Sequence, residues 1–316
     1  MLPEDGSPEK LQIVGISGQM VLQLHGEALQ AIRDSNQPVK ALKCLLAEQL
    51  GFSRFQQRLV RESLELPDDA PLIPPLTLHL VIFNFQPPCR ARDNAFLDAC
   101  INNQVLQVEE ILQSPQDPDT RDAECASNPT ALHAASKKGH VEVVRLLLDA
   151  KADKDATDCM CRTALHWAAV NYNLLVVQLL VEAGADKDAR DDKVCRTALH
   201  WAAAKGHLLV VQLLVEAGAD KDSRDKEGKT ALHWAAEKGY LEVVRLLLEA
   251  GADKDASDAG GATALHFAAG NGRELVVRML LESGADKSAT DEEGLTALHW
   301  AIDDDNMDMQ VVQLLL

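Results

Sequence analysis

The sequence has little of several things that common protein functions require. Aromatic residues make up only 4% of its 316 positions, and acidic residues outnumber basic ones to give a net charge of −18 and a pI near 4.9. This balance argues against a general nucleic-acid binder and against attachment to an anionic membrane surface. No apolar run reaches the roughly 18 residues that a membrane helix needs. The start, MLPEDGSPEK, lacks the pattern of a signal peptide, so we expect the cytosol or the nucleus.

Cysteine is present without the spacing of a framework. The seven cysteines are an odd number, which is typical of reduced thiols inside a cell. Cys159-Met160-Cys161 with Cys195 would be the best candidate for a metal site, but there is no C-x2-C pair and no histidine at finger-like spacing. No Gly-rich phosphate loop occurs either. We predict small residues in loops at these cysteines, and neither a metal nor a cofactor.

One tetrapeptide, Thr-Ala-Leu-His, occurs six times. It begins at Thr130, Thr163, Thr197, Thr230, Thr263 and Thr296, with steps of 33 or 34 residues. A fixed period of this length predicts a stack of structural repeats. A whole period reads TALHWAAEKGYLEVVRLLLEAGADKD: a short apolar helix, a Gly turn, a second helix with apolar residues at helical spacing, and a return loop.

These residues resemble the ankyrin repeat, whose T-P-L-H-x-A signature is matched with Ala in place of Pro. The resemblance covers roughly residues 91–316. It implies a solenoid of six repeats over 129–316, the last incomplete, after an irregular capping repeat at 89–128. It also implies that the motif Thr caps a helix, and that the motif His is bonded to a neighbouring loop. A residue recurring at one slot of every repeat is scaffold, so we expect no catalytic use of these histidines.

Residues 9–88, after a leader at 1–8, have a different pattern. Leu11 to Ser17, Met20 to Leu24, Phe55 to Val60 and Leu76 to Phe85 read as strands, and Gln37 to Leu50 reads as a helix ended by Gly51. This order predicts a small α+β domain.

The same region resembles ubiquitin. Its VKA at Val39, QQRL at Gln56 and TLHLV at Thr77 follow one another in the ubiquitin order, although the chain is about five residues shorter between Leu72 and Thr77 and continues through Gln86-Pro87-Pro88. The resemblance implies a β-grasp domain that engages a receptor of the ubiquitin and proteasome system. The matching patch residues are Val60, His79 and Val81. Alternatively, the valines only complete the sheet surface.

An aromatic residue follows the motif His in five repeats. Trp167, Trp201, Trp234 and Trp300 take this slot, with Phe267 in the fifth repeat. Recurrence at a framework slot favours packing between repeats, and a stacking platform for bases or methylated ammonium groups is the alternative.

In the ankyrin family, function lies in the variable positions of the finger tips and first-helix ends. Here these positions carry a basic row, which we define as Lys137, Lys138, Arg162, Lys193, Arg196, Lys205, Lys226, Lys229 and Lys238. In the last two repeats the sign changes to acidic. The row is either a solvated face or a groove for an acidic or phosphorylated protein segment, since a local patch steers a ligand despite opposing net charge.

We predict a non-catalytic adaptor that holds a client protein on the basic row while the ubiquitin-like domain engages a second partner. Two alternatives stay open: the chain is the regulatory front of a longer enzyme, or the N-terminal domain only caps the solenoid. The chain stops at Leu314-Leu315-Leu316 with no polar cap, so we expect these leucines to be exposed and the chain to be a fragment.

Overall fold

The computed structural model describes residues 10–15, 20–61, 64–72, 76–82, 90–114, 116–122, 125–303 and 309–316. The predicted leader and the Pro87-Pro88 boundary lie outside these residues. The chain forms two compact units. Unit 1 comprises Met1–Ala99, Gln104–Thr120 and Leu146–Ala152, and unit 2 comprises the rest. No helix in the described part of the chain is long and apolar enough to cross a membrane.

Unit 1 contains a five-stranded mixed sheet. The strands are β1 (Lys10–Gly15), β2 (Met20–His25), β3 (Gln57–Arg61), β4 (Leu64–Glu65) and β5 (Leu76–Ile82). Their spatial order is β2-β1-β5-β3-β4, in which β1 and β5 run parallel and the other pairs are antiparallel. Leu11, Ile13, Leu59 and Leu78 alternate along the strands onto one face and are completely buried.

Helix α2 (Pro38–Leu50) supplies the other side of this core. Val39, Leu42 and Leu46 are buried because they recur at helical spacing, and Gly51 ends the helix in the left-handed conformation at φ 78°. Two details differ from the sequence prediction. An additional short helix, α1 (Gly26–Arg33), precedes α2.

The strand predicted from Phe55 begins instead at Gln57. Ser53 and Gln56 form a reciprocal capping box around a 3-10 turn at Arg54–Gln56, and this turn takes the first residues of the predicted strand.

The remaining helices come in pairs, one pair per repeat. They are α3 (Arg90–Ile101), α4 (Val105–Gln113), α5 (Ala131–Lys138), α6 (Val141–Asp149), α7 (Ala164–Val170), α8 (Leu174–Glu182), α9 (Ala198–Lys205), α10 (Leu208–Glu216), α11 (Ala231–Lys238), α12 (Leu241–Glu249), α13 (Ala264–Gly270), α14 (Glu274–Glu282), α15 (Ala297–Asp303) and α16 (Met309–Leu315). In unit 2, corresponding helices of successive repeats pack on each other, as expected for a solenoid.

The motif His links each of these repeats to the next. Its Nδ1 accepts the backbone N–H of the motif Thr at 3.0–3.2 Å. In five repeats its Nε2 lies 2.8–3.2 Å from a carbonyl oxygen just before the next motif. The ring is therefore neutral with its proton on Nε2, since only that form accepts at one nitrogen and donates at the other. These bonds give the motif histidines the scaffold role that the sequence leads us to expect.

The acidic return loops also have a structural role. The carboxylates of Asp155, Asp188, Asp222 and Asp255 each accept the backbone N–H of the Asp that opens the next return loop, at 2.7–2.8 Å. These acidic side chains therefore link neighbouring loops.

The expectation of three exposed leucines at 314–316 is wrong for Leu314, which is partly buried, and for Leu315. Helix α16 packs on α14 and α15, and its Leu315 is only 5% exposed, whereas Leu316 is 78% exposed. Leu315 faces the preceding repeat, so its burial needs no following one.

Candidate functional site

Unit 2 presents a row of short turns, one before the motif Thr of each repeat from the second to the sixth. We call them fingers: Asp158–Arg162, Asp191–Arg196, Asp225–Lys229, Asp258–Ala262 and Asp291–Leu295. Each begins with an Asp whose Oδ1 accepts backbone N–H groups of its own finger at 2.8–3.3 Å. Backbone bonds join neighbouring fingers, as from Lys226 N–H to the Val194 carbonyl. The tips are therefore held at a fixed spacing.

The second carboxylate oxygen of the finger Asp accepts a hydrogen bond from the tryptophan of the same repeat. The indole N–H of Trp167, Trp201, Trp234 and Trp300 donates to the Oδ2 of Asp158, Asp191, Asp225 and Asp291 at 2.8–3.2 Å. Phe267 has no N–H to give to Asp258. The four indole rings are only partly buried and therefore form part of the surface.

Three members of the basic row complete this network. Arg162 donates to Asp158 Oδ2 at 2.8 Å, and its guanidinium lies 3.9 Å from the Trp167 ring centroid. Arg196 reaches the next repeat, where it pairs with Asp225 at 3.2 Å and stacks on Trp234 at 3.8 Å.

Lys229 continues the pattern one repeat further on. Its ammonium lies 4.3 Å from the Phe267 ring and pairs with Glu227 and Glu237. Packing between repeats, predicted for the aromatic slot, thus occurs through a cation in these repeats, and through the edge-to-face contact of Phe267 with Trp300 at 5.5 Å between the fifth and the sixth.

The basic row is therefore divided into two kinds of residue. Arg162, Arg196 and Lys229 are largely covered and are neutralised within the chain. Lys238 is exposed but pairs with Glu237 at 2.8 Å. The exposed members at the finger tips and helix ends are Lys137, Lys138, Lys193, Lys205 and Lys226, of which Lys137 also lies 4.6 Å from the Trp167 ring centroid.

Sequence reasoning missed the finger aspartates. Their signal is a fixed offset, since an Asp precedes each Trp by nine residues, or by ten in the case of Asp191 and Trp201. Their network also affects ionisation. Burial by itself raises the pKa of Asp158, but hydrogen bonds from Arg162 and the finger backbone outweigh it, and the net pKa lies below the usual value.

For the motif histidines, burial decides the direction of the pKa shift. Burial lowers the pKa of His133, His166 and His200, and it lowers that of His233 to about 4, because a charged ring is poorly solvated inside the stack. No group of three or more His, Cys, Asp or Glu side chains suited to a metal occurs in the described ranges. The candidate cysteines Cys159, Cys161 and Cys195 are free thiols on the fingers.

The second candidate surface lies on the sheet of unit 1. The β3–β5 register pairs Val60 with His79 and Arg58 with Val81, so these positions share one face, opposite to the buried Leu59 and Leu80. The two valines are half-buried. Arg58 pairs with Glu65 at 2.7 Å and donates to the Gln113 carbonyl, so it is engaged within the unit.

Comparison with known proteins identifies the repeats. A family model described as ankyrin repeats (3 copies) matches residues 96–191, 190–258 and 252–316. The chain belongs to the ankyrin-repeat family. The ankyrin repeat domain of Bcl-3, described as a unique member of the IkappaB protein family, is similar at 32% identity and a TM-score of 0.60, over 70% of this chain and 97% of that one.

These matches identify the family of the chain but not the protein that it binds. In all, 627 chains of solved structures match, so ankyrin architecture by itself does not select one client. The comparison with curated proteins finds no match.

Proposed function

We propose that this protein is a non-catalytic adaptor of the cytoplasm or nucleus, in which the ankyrin fingers bind a protein client through an acidic or phosphorylated segment. Ankyrin repeats are typically protein-binding modules, and the similarity to the Bcl-3 domain is consistent with such a role. No nucleic acid, membrane or cofactor is part of this proposal.

The observation that carries the proposal is the set of exposed lysines on neighbouring fingers. Lys193 and Lys226 stand at two tips that backbone bonds hold side by side, and Lys205 ends the first helix between them. No ion pair is recorded for these three within the described residues. Their charge therefore remains available to a client, unlike that of Arg196.

A charge reversal tests the proposal. Lys193→Glu, Lys205→Glu, Lys226→Glu and Lys238→Glu together should abolish binding of an octaglutamate peptide, and that binding should weaken as salt shortens the screening length below about 10 Å. The matched control reverses Lys154, Lys187, Lys221 and Lys254 in the return loops, which changes the net charge equally. If both quadruple variants lose binding alike, the effect is one of total charge and the exposed row is only a solvated face.

We further propose that residues 9–88 form a ubiquitin-like domain that recruits a second partner, a receptor of the ubiquitin and proteasome system. Support comes from the VKA, QQRL and TLHLV segments together with the strand order β2-β1-β5-β3-β4 around one main helix. The candidate contact residues are Val60, His79 and Val81. Val60→Ala with His79→Ala should remove binding of a ubiquitin-interacting peptide while octaglutamate binding is kept. If the receptor peptide binds neither variant nor parent, the recruitment proposal fails.

A specific cluster supports a second role for the N-terminal domain, as a stabilising cap. Arg54 is 4% exposed and lies 3.3 Å from Glu109 of α4, 3.5 Å from Asp149 and 3.9 Å from Asp68. A buried cation among carboxylates from separate segments fixes how they pack, and removing it weakens this cluster even though Lys43 still pairs with Asp68 and Lys40 with Glu109.

Arg54→Met tests this role. It should lower the free energy of unfolding by about 1–3 kcal/mol, measured by urea titration, because partly exposed carboxylates lose one charged hydrogen-bond donor. A value within about 0.5 kcal/mol of the parent would remove the support for a cap.

A further inference from the structure

The last two fingers differ from the others in one position. The residue just before the motif Thr is Arg162, Arg196 or Lys229 in the second to fourth repeats, but Ala262 in the fifth. By the pattern of Arg196 and Lys229, which lie over the ring of the following repeat, a cation at this position would lie over the aromatic ring of the sixth repeat, Trp300. Among the described residues, no cation stacks on that ring.

The rest of the slot is present. Trp300 donates its indole N–H to Asp291 Oδ2 at 2.8 Å, just as Trp234 donates to Asp225, the carboxylate that pairs with Arg196. Asp291 therefore stands where a guanidinium would find a charged acceptor.

Asp258 lacks partners in the same way. Its Oδ1 accepts two backbone N–H groups at 2.9 Å, but Phe267 offers no indole and Ala262 no cation to its Oδ2. The corresponding Asp158, Asp191 and Asp225 are 4–6% exposed, whereas Asp258 is only partly buried.

An open cavity of about 870 Å³ lies in front of this slot. Asp258, Asp291, Glu292 and Glu293 line it, together with the faces of Trp300 and Ile302. Ile302 is 51% exposed, so the cavity combines strong negative charge with an apolar floor. Gly270 borders the indole closely, since a Cβ there would lie 3.1 Å from Trp300 Cε3.

We propose that this cavity, the acidic notch, binds an arginine or lysine side chain from a basic segment of a partner protein. The partner's cation would stack on Trp300 and pair with Asp291, as Arg196 does two slots earlier with Trp234 and Asp225. Charge complementarity selects this occupant, because four carboxylates line the cavity and no cation of the described residues stacks on its indole. The notch is distinct from the exposed lysines of the basic row and takes the opposite chemistry.

The test uses the full chain and two peptides, Gly-Leu-Arg-Leu-Gly and the same peptide with citrulline, which keeps the shape but not the charge. The indole N–H signals of the four tryptophans are followed by NMR during titration. The Trp300 signal should shift saturably with the arginine peptide only. Signals of Trp167, Trp201 and Trp234 should stay in place because their slots already hold Arg162, Arg196 or Lys229.

Two variants separate the notch from general attraction to an acidic protein. Ala262→Arg supplies the missing cation within the chain and should weaken peptide binding at least about tenfold. Ala262→Gln, of similar length but neutral, should bind as the parent does.

Four results would overturn the proposal: no saturable shift, equal shifts of all four indoles, an equal response to citrulline, or unchanged binding by Ala262→Arg. A Trp300 shift that follows protein concentration without peptide would identify a second copy as the occupant and overturn it too.

Discussion

Repeats two to four and repeats five to six carry the same finger aspartates and the same aromatic slot, but they differ in how the charge is compensated. In the first group the chain's own cations lie over the tryptophan rings, and Arg162 and Arg196 pair with Asp158 and Asp225. In the second, Ala262 and Leu295 replace those cations and the acids face a cavity. Part of the basic row therefore belongs to the scaffold. The acidic notch in the last two repeats, by contrast, is open to a partner's cation.

The largest expected effect concerns the position of a repeat in the stack. Leu232 of the fourth repeat is 1% exposed, and Leu298 of the sixth is only partly buried. Leu232→Ala should cost about 2–5 kcal/mol of unfolding free energy, because it opens a cavity between two neighbours. Leu298→Ala should cost less. Equal losses in urea titration would count against nearest-neighbour packing.

The next effect is an acid-induced loss of stability through His233. Its pKa is about 6.5 in the unfolded chain and about 4 in the folded one, so the unfolded state binds the extra proton first as pH falls. The contribution is fully present above pH 6.5 and is lost between pH 6.5 and 4, by about 2 kcal/mol at pH 5.

Urea titrations at pH 7.5 and pH 5 measure this loss, and His233→Gln should reduce it. The depressed pKa of Asp158 acts in a different window, because that contribution is present above pH 4 and is lost only below it. An unchanged difference between the two pH values in His233→Gln would contradict the assignment.

A smaller effect separates the two kinds of basic residue. Arg196→Met should cost about 1–3 kcal/mol, because it leaves the buried Asp225 carboxylate without its cation. Lys193→Met on the same finger should change stability by less than about 0.5 kcal/mol, since Lys193 is exposed. Thermal unfolding of the two variants side by side checks the difference. Similar costs would mean that Arg196 belongs with the exposed lysines.

The period, the helix pairs and the Thr–His linkage could be predicted because they repeat at a fixed offset and rest on local geometry. The cationic network could not, since Arg196 and Asp225 lie 29 residues apart and meet only when two fingers stack. Helix α1 was missed because it is short, and the burial of Leu315 because the preceding repeat covers it. The difference between Trp300 and the other tryptophans could not be predicted, because only the stacking of the fingers brings Ala262 to the cavity that Trp300 lines.

The central claim is that each finger slot is a cation site which the chain either fills or leaves open. Emptying a filled slot tests it most directly. Arg196→Ala with Lys229→Ala removes both cations that lie over Trp234. In this double variant the indole signal of Trp234 should begin to shift saturably with Gly-Leu-Arg-Leu-Gly, as that of Trp300 does in the parent, and the citrulline peptide should have no effect. If Trp234 stays silent in the folded double variant while Trp300 responds, the slots are not equivalent and the comparison between the two groups of repeats is wrong.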